Sequence, residues 1–340
     1  MAVIDHLFVE QFGAFIGKTS ERLVVSVKGE RIAQAPLLYL QAVTIASDGV
    51  SISSDAVRAC CERGIPVFFV NNIGSPVGSV YADGLNGTIL TRREQLRAYD
   101  DARGVHLGCA FATGKIENQA VTLKYLAKNR RDTPLGQQLM EASEIVRDSL
   151  SILDRARAAS DIEAARETIM ASEGTASRHY WEAVCAIVPE HYGWISRETR
   201  GATDPVNSLL NYGYGILRTH IERAVMYAGL DPFAGFVHAD RPGKPSLTLD
   251  LIEEFRQTVI DRVVIGLVNR QFTIEQDEQG LLTAETRRAF ADHVNNHLKS
   301  AMRYQRQNHQ LGHIIQMQAR EVAAYVRGSR DAYIPFRATW

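Results

Sequence analysis

The residue pattern of this chain changes once, at the turn-rich segment from Asp83 to Thr88. Before that segment, the chain contains short runs rich in β-branched and aromatic residues, which favour strands. From Arg92 onward, apolar residues recur every three or four positions, which is the period of amphipathic helices. The sequence therefore predicts an α+β protein, with a small N-terminal β-rich domain followed by a larger all-α domain.

Local signals place the strands of the N-terminal domain and its one helix. Strands are expected at 23–28, from residue 30, and at 40–45, 66–70 and 74–81. Gly29 separates the first two strands and predicts a hairpin. Ser53 or Ser54 should cap a short helix at 55–63. Gly64 should end that helix.

Helical periodicity divides the rest of the chain into six long segments. Amphipathic helices are predicted at 105–129, 136–157, 161–187, 205–228, 246–269 and 284–326. The resulting domain plan has a β-rich domain at 1–85, a linker with a first helix at 86–104, a helical domain at 105–331 and a C-terminal tail at 332–340. A chain of 340 residues is long enough for two domains, each with its own core.

Charge and cysteine content exclude several classes of protein. The net charge of −1 and the pI near 6.8 argue against a wholly basic nucleic-acid packager, although a local basic groove remains compatible with them. The four cysteines show no zinc-like spacing and no disulfide framework, which favours a reducing, cytoplasmic location. No signal peptide and no membrane span are expected, because no apolar run approaches about 18 residues.

The segment from Gly235 to Asp261 carries the strongest chemical signal. His238 precedes a turn rich in proline and glycine, and Ser246 is then expected to cap a helix. On one face of that helix lie four acidic or amide residues, at positions 250, 253, 254 and 257, while a neighbouring face is apolar. Carboxylates opposite a histidine suit a hard divalent cation. The alternative is a solvated acidic face beside an unrelated histidine.

Two further segments place polar residues within helical patterns. Glu173 lies among small residues, and the adjacent Gly174 suggests close approach of another backbone or of a ligand. Asp204 should cap another helix, with Pro205 at its first position and Gly229 as its end. Asn207 and Asn211 share one face of that helix.

Four blocks together resemble one known family. They read EGTASRHYW, DPVNSLLNYGYGIL, GLDPFAGFVH and SLTLDLIEEFRQTVIDR. Their order and spacing are similar to those of the CRISPR-associated adaptation integrase, a metal-dependent nuclease that inserts new spacers into CRISPR arrays. The resemblance implies Mg²⁺ or Mn²⁺ held by Glu173, His238 and Glu253, with Asp250 as an outer-shell or second-metal carboxylate. The family varies between Asp and Glu at the Glu253 position. Whether Glu253 would bind the metal through one carboxylate oxygen or both therefore stays open.

The resemblance also implies partners and DNA contacts. Asn207, Asn211 and Tyr214 are expected to support the site or to touch the DNA backbone, while Arg178 and Lys244 would offset phosphate charge. The expected partners are double-stranded DNA (prespacer and CRISPR repeat), a second copy of the chain through the β-rich domain, and a small ferredoxin-like adaptation protein.

Two other functions remain open at this stage. A stand-alone branched-DNA nuclease would use the same metal site with water as the nucleophile. A catalytically silent DNA-binding scaffold would lack metal chemistry altogether. Two histidine pairs, His293 with His297 and His309 with His313, have the spacing of metal ligands. They lack the glutamate of a zinc-protease helix, so a structural or surface role is expected.

Overall fold

A computed structural model describes residues 4, 6–71, 76–81, 89–199 and 201–339 of the chain. The chain divides into two compact units, Met1–Asn86 and Gly87–Trp340. The first is rich in strands and the second is mainly helical, which confirms the predicted α+β class. The predicted boundary segment at 83–88 lies outside the described residues, as does the start of the strand predicted at 74–81.

The described strands of the first unit form two four-stranded sheets. In chain order they are β1 (His6–Val9), β2 (Ala14–Thr19), β3 (Arg22–Val27), β4 (Glu30–Pro36), β5 (Ala42–Ile45), β6 (Ser51–Ile52), β7 (Val67–Val70) and β8 (Pro76–Val80). One sheet has the order β1-β5-β7-β8 and pairs β1, β5 and β7 in parallel. The other has the order β4-β3-β2-β6, with antiparallel pairing of β2, β3 and β4.

Turn and cap residues explain where these elements begin and end. The β3–β4 hairpin turns at Lys28 and Gly29, which have φ values of 50° and 85°. Helix α1 (Ser54–Glu62) begins after Ser53, whose hydroxyl accepts a hydrogen bond from the Ala56 N–H at 3.1 Å. The hairpin and the cap confirm the sequence prediction. Both sheets and α1 contribute to one apolar core, which includes Leu7, Ile16, Val43, Ala56 and Cys60.

The described residues of the second unit include ten α-helices, short 3-10 and π-helical turns, and one hairpin. The helices are α2 (Ile89–Ala98), α3 (Ala102–Ala127), α4 (Pro134–Asp148), α5 (Leu153–Arg157), α6 (Ile162–Cys185), α7 (Pro205–Tyr227), α8 (Ser246–Ile252), α9 (Arg262–Val268), α10 (Ala284–Leu298) and α11 (Leu311–Val326). The hairpin pairs β9 (Ala301–Tyr304) with β10 (Gln307–Gln310). Helix α3 is buried along most of its length and packs against α4 and α6.

Three of the predicted helices are divided in the structure, and the one at 136–157 is divided only by a 3-10 turn (Ser149–Ile152) between α4 and α5. The segment at 246–269 forms α8, a turn at 253–255, a π-helical turn (Arg256–Asp261) and α9. The segment at 284–326 is interrupted by the β9–β10 hairpin. Its turn residues Gln305 and Arg306 have φ values of 47° and 69°. Such turns usually contain Gly or Asn, so the sequence carries no signal for this one.

The residues after α11 pack into the helical unit, although they form no helix or strand. Tyr333 and Phe336 are 2% and 0% exposed. Phe336 stacks on Phe255 with ring centroids 4.9 Å apart. Asn118 on α3 donates to Phe336 O at 2.9 Å and accepts from the Ala338 N–H at 2.8 Å. We call residues 332–339 the C-terminal segment. Within the described part of the chain, no helix has the length and apolar character needed to cross a membrane.

Candidate functional site

Asp250 organises the turn that carries His238. The Asp250 side chain lies on α8 and is 0% exposed. Its Oδ2 accepts hydrogen bonds from the backbone N–H groups of Phe236 and Val237, at 2.6 and 3.1 Å. Its Oδ1 accepts from the backbone N–H of His238 at 2.9 Å and from ring Nδ1 at 2.8 Å. Because ring Nδ1 is hydrogen-bonded to Asp250, the Nε2 edge of the imidazole is the one available to a ligand.

Ser246 holds the other end of this turn, in a way that differs from the prediction. It is the first residue of α8, and its side chain does not cap the helix, which Pro245 precedes. The Ser246 hydroxyl donates to Phe233 O at 2.6 Å and accepts from the Gly235 N–H at 2.8 Å. A Cβ at Gly235 would lie 2.5 Å from the Ser246 backbone, so the close approach requires glycine.

Glu253 lies where the helix is interrupted, directly after α8, and its side chain is 5% exposed. The Lys115 Nζ lies 2.9 Å from Glu253 Oε2, and the Arg256 Nε lies 3.0 Å from Glu253 Oε1. Both contacts are ion pairs between buried groups. Among the described residues, Glu253 Oε2 and Arg256 Nε have no well-aligned hydrogen bond. The positive charges of Lys115 and Arg256 hold the Glu253 carboxylate in place, and its oxygens can still accept a further ligand.

Glu173 approaches the same lysine from another helix. It lies midway along α6, and its side chain is 12% exposed. Lys115 Nζ donates to Glu173 Oε2 at 3.3 Å, so one ammonium joins carboxylates that are 80 positions apart in the sequence. At Gly174, a Cβ would meet none of the described atoms within 4 Å. The described part of this chain therefore supplies no close backbone at Gly174, and approach of a ligand, the other half of the prediction, stays a prediction.

Burial and neighbouring charges set opposite protonation tendencies for the two glutamates. Burial raises the pKa of Glu253, but Arg256 and Lys115 outweigh this effect and lower that pKa to about 2. Burial raises the pKa of Glu173 above its ordinary value, and Lys115 offsets this only in part. Burial lowers the pKa of His238, yet the hydrogen bond to Asp250 leaves that pKa raised overall. The three groups act on one another electrostatically, so they lie near one another.

The predicted acidic stripe is not one solvated face. Asp250, Glu253, Glu254 and Gln257 are all buried, at 1%, 4%, 0% and 2% exposure. Glu254 contacts the C-terminal segment. It accepts hydrogen bonds from the Tyr333 hydroxyl at 2.6 Å and the Phe336 N–H at 2.8 Å. Burial raises the pKa of Glu254 to about 8. The solvated-face interpretation is therefore wrong, and so is the single shared face, because the helix is interrupted at Glu253.

A cluster of arginines and aromatic rings lies beside Glu253. The Arg256 guanidinium lies 4.6 Å from the Tyr214 ring centroid, and the Arg197 guanidinium lies 5.3 Å from it. The Tyr214 hydroxyl donates to Asp261, which also accepts from the Tyr180 hydroxyl at 2.8 Å. Two cations therefore share one aromatic ring next to the carboxylates.

Asn207 and Asn211 hold one of these arginines in place. Helix α7 begins as predicted, with Asp204 as its cap and Pro205 at its first turn. Asn207 Oδ1 accepts from Arg197 Nη1 at 3.0 Å, and Asn211 Oδ1 accepts from Arg197 Nη2 at 2.7 Å. Asn207 is 1% exposed. These two amides thus position Arg197, and Asn207 is too buried to meet DNA.

The two predicted phosphate-contacting cations lie on the surface or near it. Arg178 is exposed on α6, and its Nη2 lies 3.3 Å from His179 Nε2. Lys244 is half-buried in the turn before α8, where its backbone N–H donates to Arg241 O at 2.9 Å. The described contacts do not link either side chain to Glu173, Glu253 or His238.

The two histidine pairs have other contacts. His297 Nε2 lies 2.9 Å from Thr258 O, and burial lowers the pKa of His297. His293 packs edge-on against Phe272 at 5.8 Å. The rings of His309 and His313 stack with centroids 5.5 Å apart.

The candidate centre has a donor set that fits a hard divalent cation. Two buried carboxylates and one imidazole with a free Nε2 edge match the oxygen-rich ligand sets of Mg²⁺ and Mn²⁺. The buried Glu253 Oε2 without a well-aligned hydrogen bond adds an acceptor that such a cation would satisfy. Among the described residues, no three His, Cys, Asp or Glu side chains are already gathered at metal-ligand spacing. At this centre the Lys115 ammonium lies between the two glutamates.

Sequence reasoning assigned no role to Lys115, Arg256 or Asp261. A weak signal existed for Lys115, which is a lone charge in the small and apolar stretch from Gly108 to Ile116 of a buried helix. Arg256 follows Glu253 by three residues, as an ion-pair partner on a helix would. Asp261 gave no local signal, because its partners Tyr180 and Tyr214 come from other helices.

Comparison with known proteins gives consistent matches over nearly the whole chain. A family model described as CRISPR associated protein Cas1 matches residues 7–296. The CRISPR-associated endonuclease Cas1 1 of Archaeoglobus fulgidus is 37% identical, over 98% of this chain and 99% of that protein.

Solved structures share the fold. A casposase bound to integration product superposes with a TM-score of 0.82 at 21% identity, covering 97% of this chain and 93% of that chain. A chain of a Cas6-RT-Cas1–Cas2 complex gives a TM-score of 0.78 at 22% identity, covering 98% of this chain and 36% of that chain.

Proposed function

This chain belongs to the Cas1 family of CRISPR-associated proteins, and from that premise we propose that it is a metal-dependent DNA endonuclease and integrase. It inserts short foreign DNA fragments into a CRISPR array by attack of a 3′-hydroxyl on a repeat phosphodiester. The observation that carries this proposal is the pair of buried carboxylates, Glu173 and Glu253, which Lys115 joins and which act electrostatically on a His238 that Asp250 orients. Curated relatives are named endonucleases, which agrees with phosphodiester chemistry.

In this proposal the carboxylates of Glu173 and Glu253 and the Nε2 of His238 hold Mg²⁺ or Mn²⁺. A bound cation of this kind polarises a phosphodiester and stabilises charge on the leaving oxygen. Asp250 keeps the His238 proton on Nδ1, so that the Nε2 lone pair points to the centre. Glu253 is ionised at neutral pH, because its pKa is about 2.

The arginine cluster places positive charge where a DNA phosphate would arrive. Arg256 and Arg197 lie against Tyr214 beside Glu253, and Asn207 and Asn211 fix the Arg197 guanidinium. Positive charge next to the reacting phosphate favours the charged transition state. Tyr214 and the two asparagines thereby support the site.

Arg178 and Lys244 extend the basic surface along the DNA. Arg178 is exposed, whereas Lys244 is half-buried. Cations that contact phosphates contribute affinity that falls as salt concentration rises. Their proposed role is contact with the sugar–phosphate backbone.

The proposal includes a homodimer formed through the first unit. The first unit exposes large apolar side chains, among them Phe12 at 76% and Leu38 at 81%. Such side chains are typical of a surface that binds another protein. A second copy of the chain covers them, and the resulting homodimer holds two metal centres apart for the two ends of one prespacer. A solved relative of this fold is part of a Cas1–Cas2 complex, and a small ferredoxin-like partner docks on the helical unit here.

A strand-transfer assay tests the proposal. A labelled prespacer and a plasmid that carries a CRISPR repeat are incubated with the protein and Mg²⁺ or Mn²⁺, with and without the small partner. Joining of the prespacer 3′-ends to the repeat is expected, and it should stop in EDTA. Cleavage of branched DNA without any joining would instead support the stand-alone nuclease.

One variant and its control test whether Glu253 is needed for the reaction. Glu253→Gln keeps the side-chain shape but removes the anionic ligand. Its strand transfer should fall by more than the roughly 10–100-fold that loss of an outer-shell partner costs. Glu167→Gln is the matched control, because Glu167 is exposed on the helix that carries Glu173. Undiminished transfer by Glu253→Gln would contradict the proposed centre.

A further inference from the structure

Lys115 is a charged component of the candidate centre to which the proposed chemistry gives no role. Its ammonium lies 2.9 Å from Glu253 Oε2 and 3.3 Å from Glu173 Oε2, and its side chain is 15% exposed. We infer that Lys115 competes with the divalent cation for these two carboxylates, and that this competition makes metal binding depend on a DNA phosphate. The inference rests on the proposed function, since it concerns the same centre.

The backbone at Lys115 is fixed, so the ammonium is the part that moves. Ile116 is 0% exposed. A Cβ at Gly114 would lie 2.8 Å from the Glu254 side chain, which shows how closely α3 packs on the turn that carries Glu253. The lysine side chain has four flexible carbons. It can therefore leave the carboxylates without any change in the helix.

The local charge explains how this competition would couple metal binding to DNA binding. With both glutamates and Asp250 ionised and His238 neutral, three carboxylates and two cations, Lys115 and Arg256, leave one net negative charge in this region. A divalent cation reverses that sign. The excess positive charge is then neutralised by an incoming phosphodiester, which the displaced ammonium can also contact. Metal and DNA thus bind with positive coupling, which is reciprocal by thermodynamic necessity.

Removing the ammonium should uncouple the two ligands. The binding of Mn²⁺ is measured from the electron paramagnetic resonance signal of the free ion, with and without a short DNA duplex. Without DNA, Lys115→Met should bind Mn²⁺ about tenfold more tightly than the wild type, because a unit charge at this distance is worth at least the 1.4 kcal/mol that a factor of ten requires. Added DNA should strengthen Mn²⁺ binding less in the variant than in the wild type.

Controls separate charge competition from general damage. Lys124→Met alters a lysine on the same helix that pairs with Glu144 at 2.6 Å, and it should leave Mn²⁺ affinity unchanged. Circular dichroism checks folding, and Lys115→Gln replaces Lys115→Met if the methionine variant does not fold.

The outcomes distinguish this inference from the proposed function. Equal or weaker Mn²⁺ binding by a folded Lys115 variant would overturn the competition and leave the metal centre in place. Absence of Mn²⁺ binding in the wild type and the variant alike would overturn the metal centre, and the inference with it.

Discussion

Replacement of Asp250 by asparagine should both destabilise the helical unit and weaken metal binding. Asp250→Asn keeps the size and shape of the side chain but removes its charge and one of its two acceptor oxygens. The carboxylate accepts four hydrogen bonds, two at each oxygen, from three consecutive backbone N–H groups and the His238 ring. Whichever way the amide turns, its NH₂ group faces two of these donors.

The expected loss follows from those contacts. Two hydrogen bonds to a charged group, at about 1.5–3 kcal/mol each, amount to about 3–6 kcal/mol in the free energy of unfolding. No solvent screening reduces this figure, because the Asp250 side chain is 0% exposed. For a unit of this size, each kcal/mol lowers the melting temperature by about 2–4 °C. A fall of about 6–24 °C is therefore expected, and loss of His238 orientation should weaken Mn²⁺ binding by about 10–100-fold.

Thermal unfolding followed by circular dichroism, together with Mn²⁺ titration, measures both effects. Asp292→Asn is the matched control, because Asp292 is exposed on α10, and its melting temperature should stay close to that of the wild type. A folded Asp250→Asn with a melting temperature within about 2 °C of the wild type, and with equal Mn²⁺ affinity, would refute the role given to Asp250.

Three further predictions concern the C-terminal segment and assembly. Tyr333→Phe removes a donor and leaves an oxygen of the buried Glu254 without this hydrogen bond, so denaturant titration should show a loss of about 1–3 kcal/mol in the free energy of unfolding. Since burial raises the pKa of Glu254 from 4.5 to about 8, its contribution to the free energy of unfolding is full below pH 4.5 and is lost as the pH rises to 8. Glu254→Gln should remove this fall in stability with rising pH, and an unchanged pH dependence would contradict the raised pKa of Glu254. Light scattering should report about twice 37.8 kDa for the wild type and a lower mass for Leu38→Glu, but not for the control Ile195→Glu in the second unit. A wild-type monomer that remains fully active in two-ended integration would contradict the dimer.

The sequence predicts well those features that are determined by neighbouring residues. The cap at Ser53, the helix start at Asp204 and the hairpin at Gly29 each depend on contacts within a few positions. The two-part division into strands and helices follows from hydrophobic period for the same reason. Local chemistry is thus sufficient for the fold class and for many element boundaries.

Features made by distant residues were not predictable in this way. Glu254 has the same sequence context as a surface carboxylate, and only contacts with Tyr333 and Phe336, 79 and 82 positions later, show that it is buried. Lys115 likewise meets Glu173 and Glu253 only after α3 packs against two other segments. A periodic pattern specifies which face is apolar, but it does not specify what covers the opposite face.

The central claim is that Glu173, His238 and Glu253 hold one divalent cation. A crystal soaked in Mn²⁺ and measured at the manganese absorption edge tests this directly. An anomalous peak is expected within about 2.0–2.6 Å of both carboxylates and of His238 Nε2, with the Lys115 ammonium displaced from between the glutamates. Manganese peaks only at exposed carboxylates elsewhere, with Lys115 still joining Glu173 and Glu253, would contradict it.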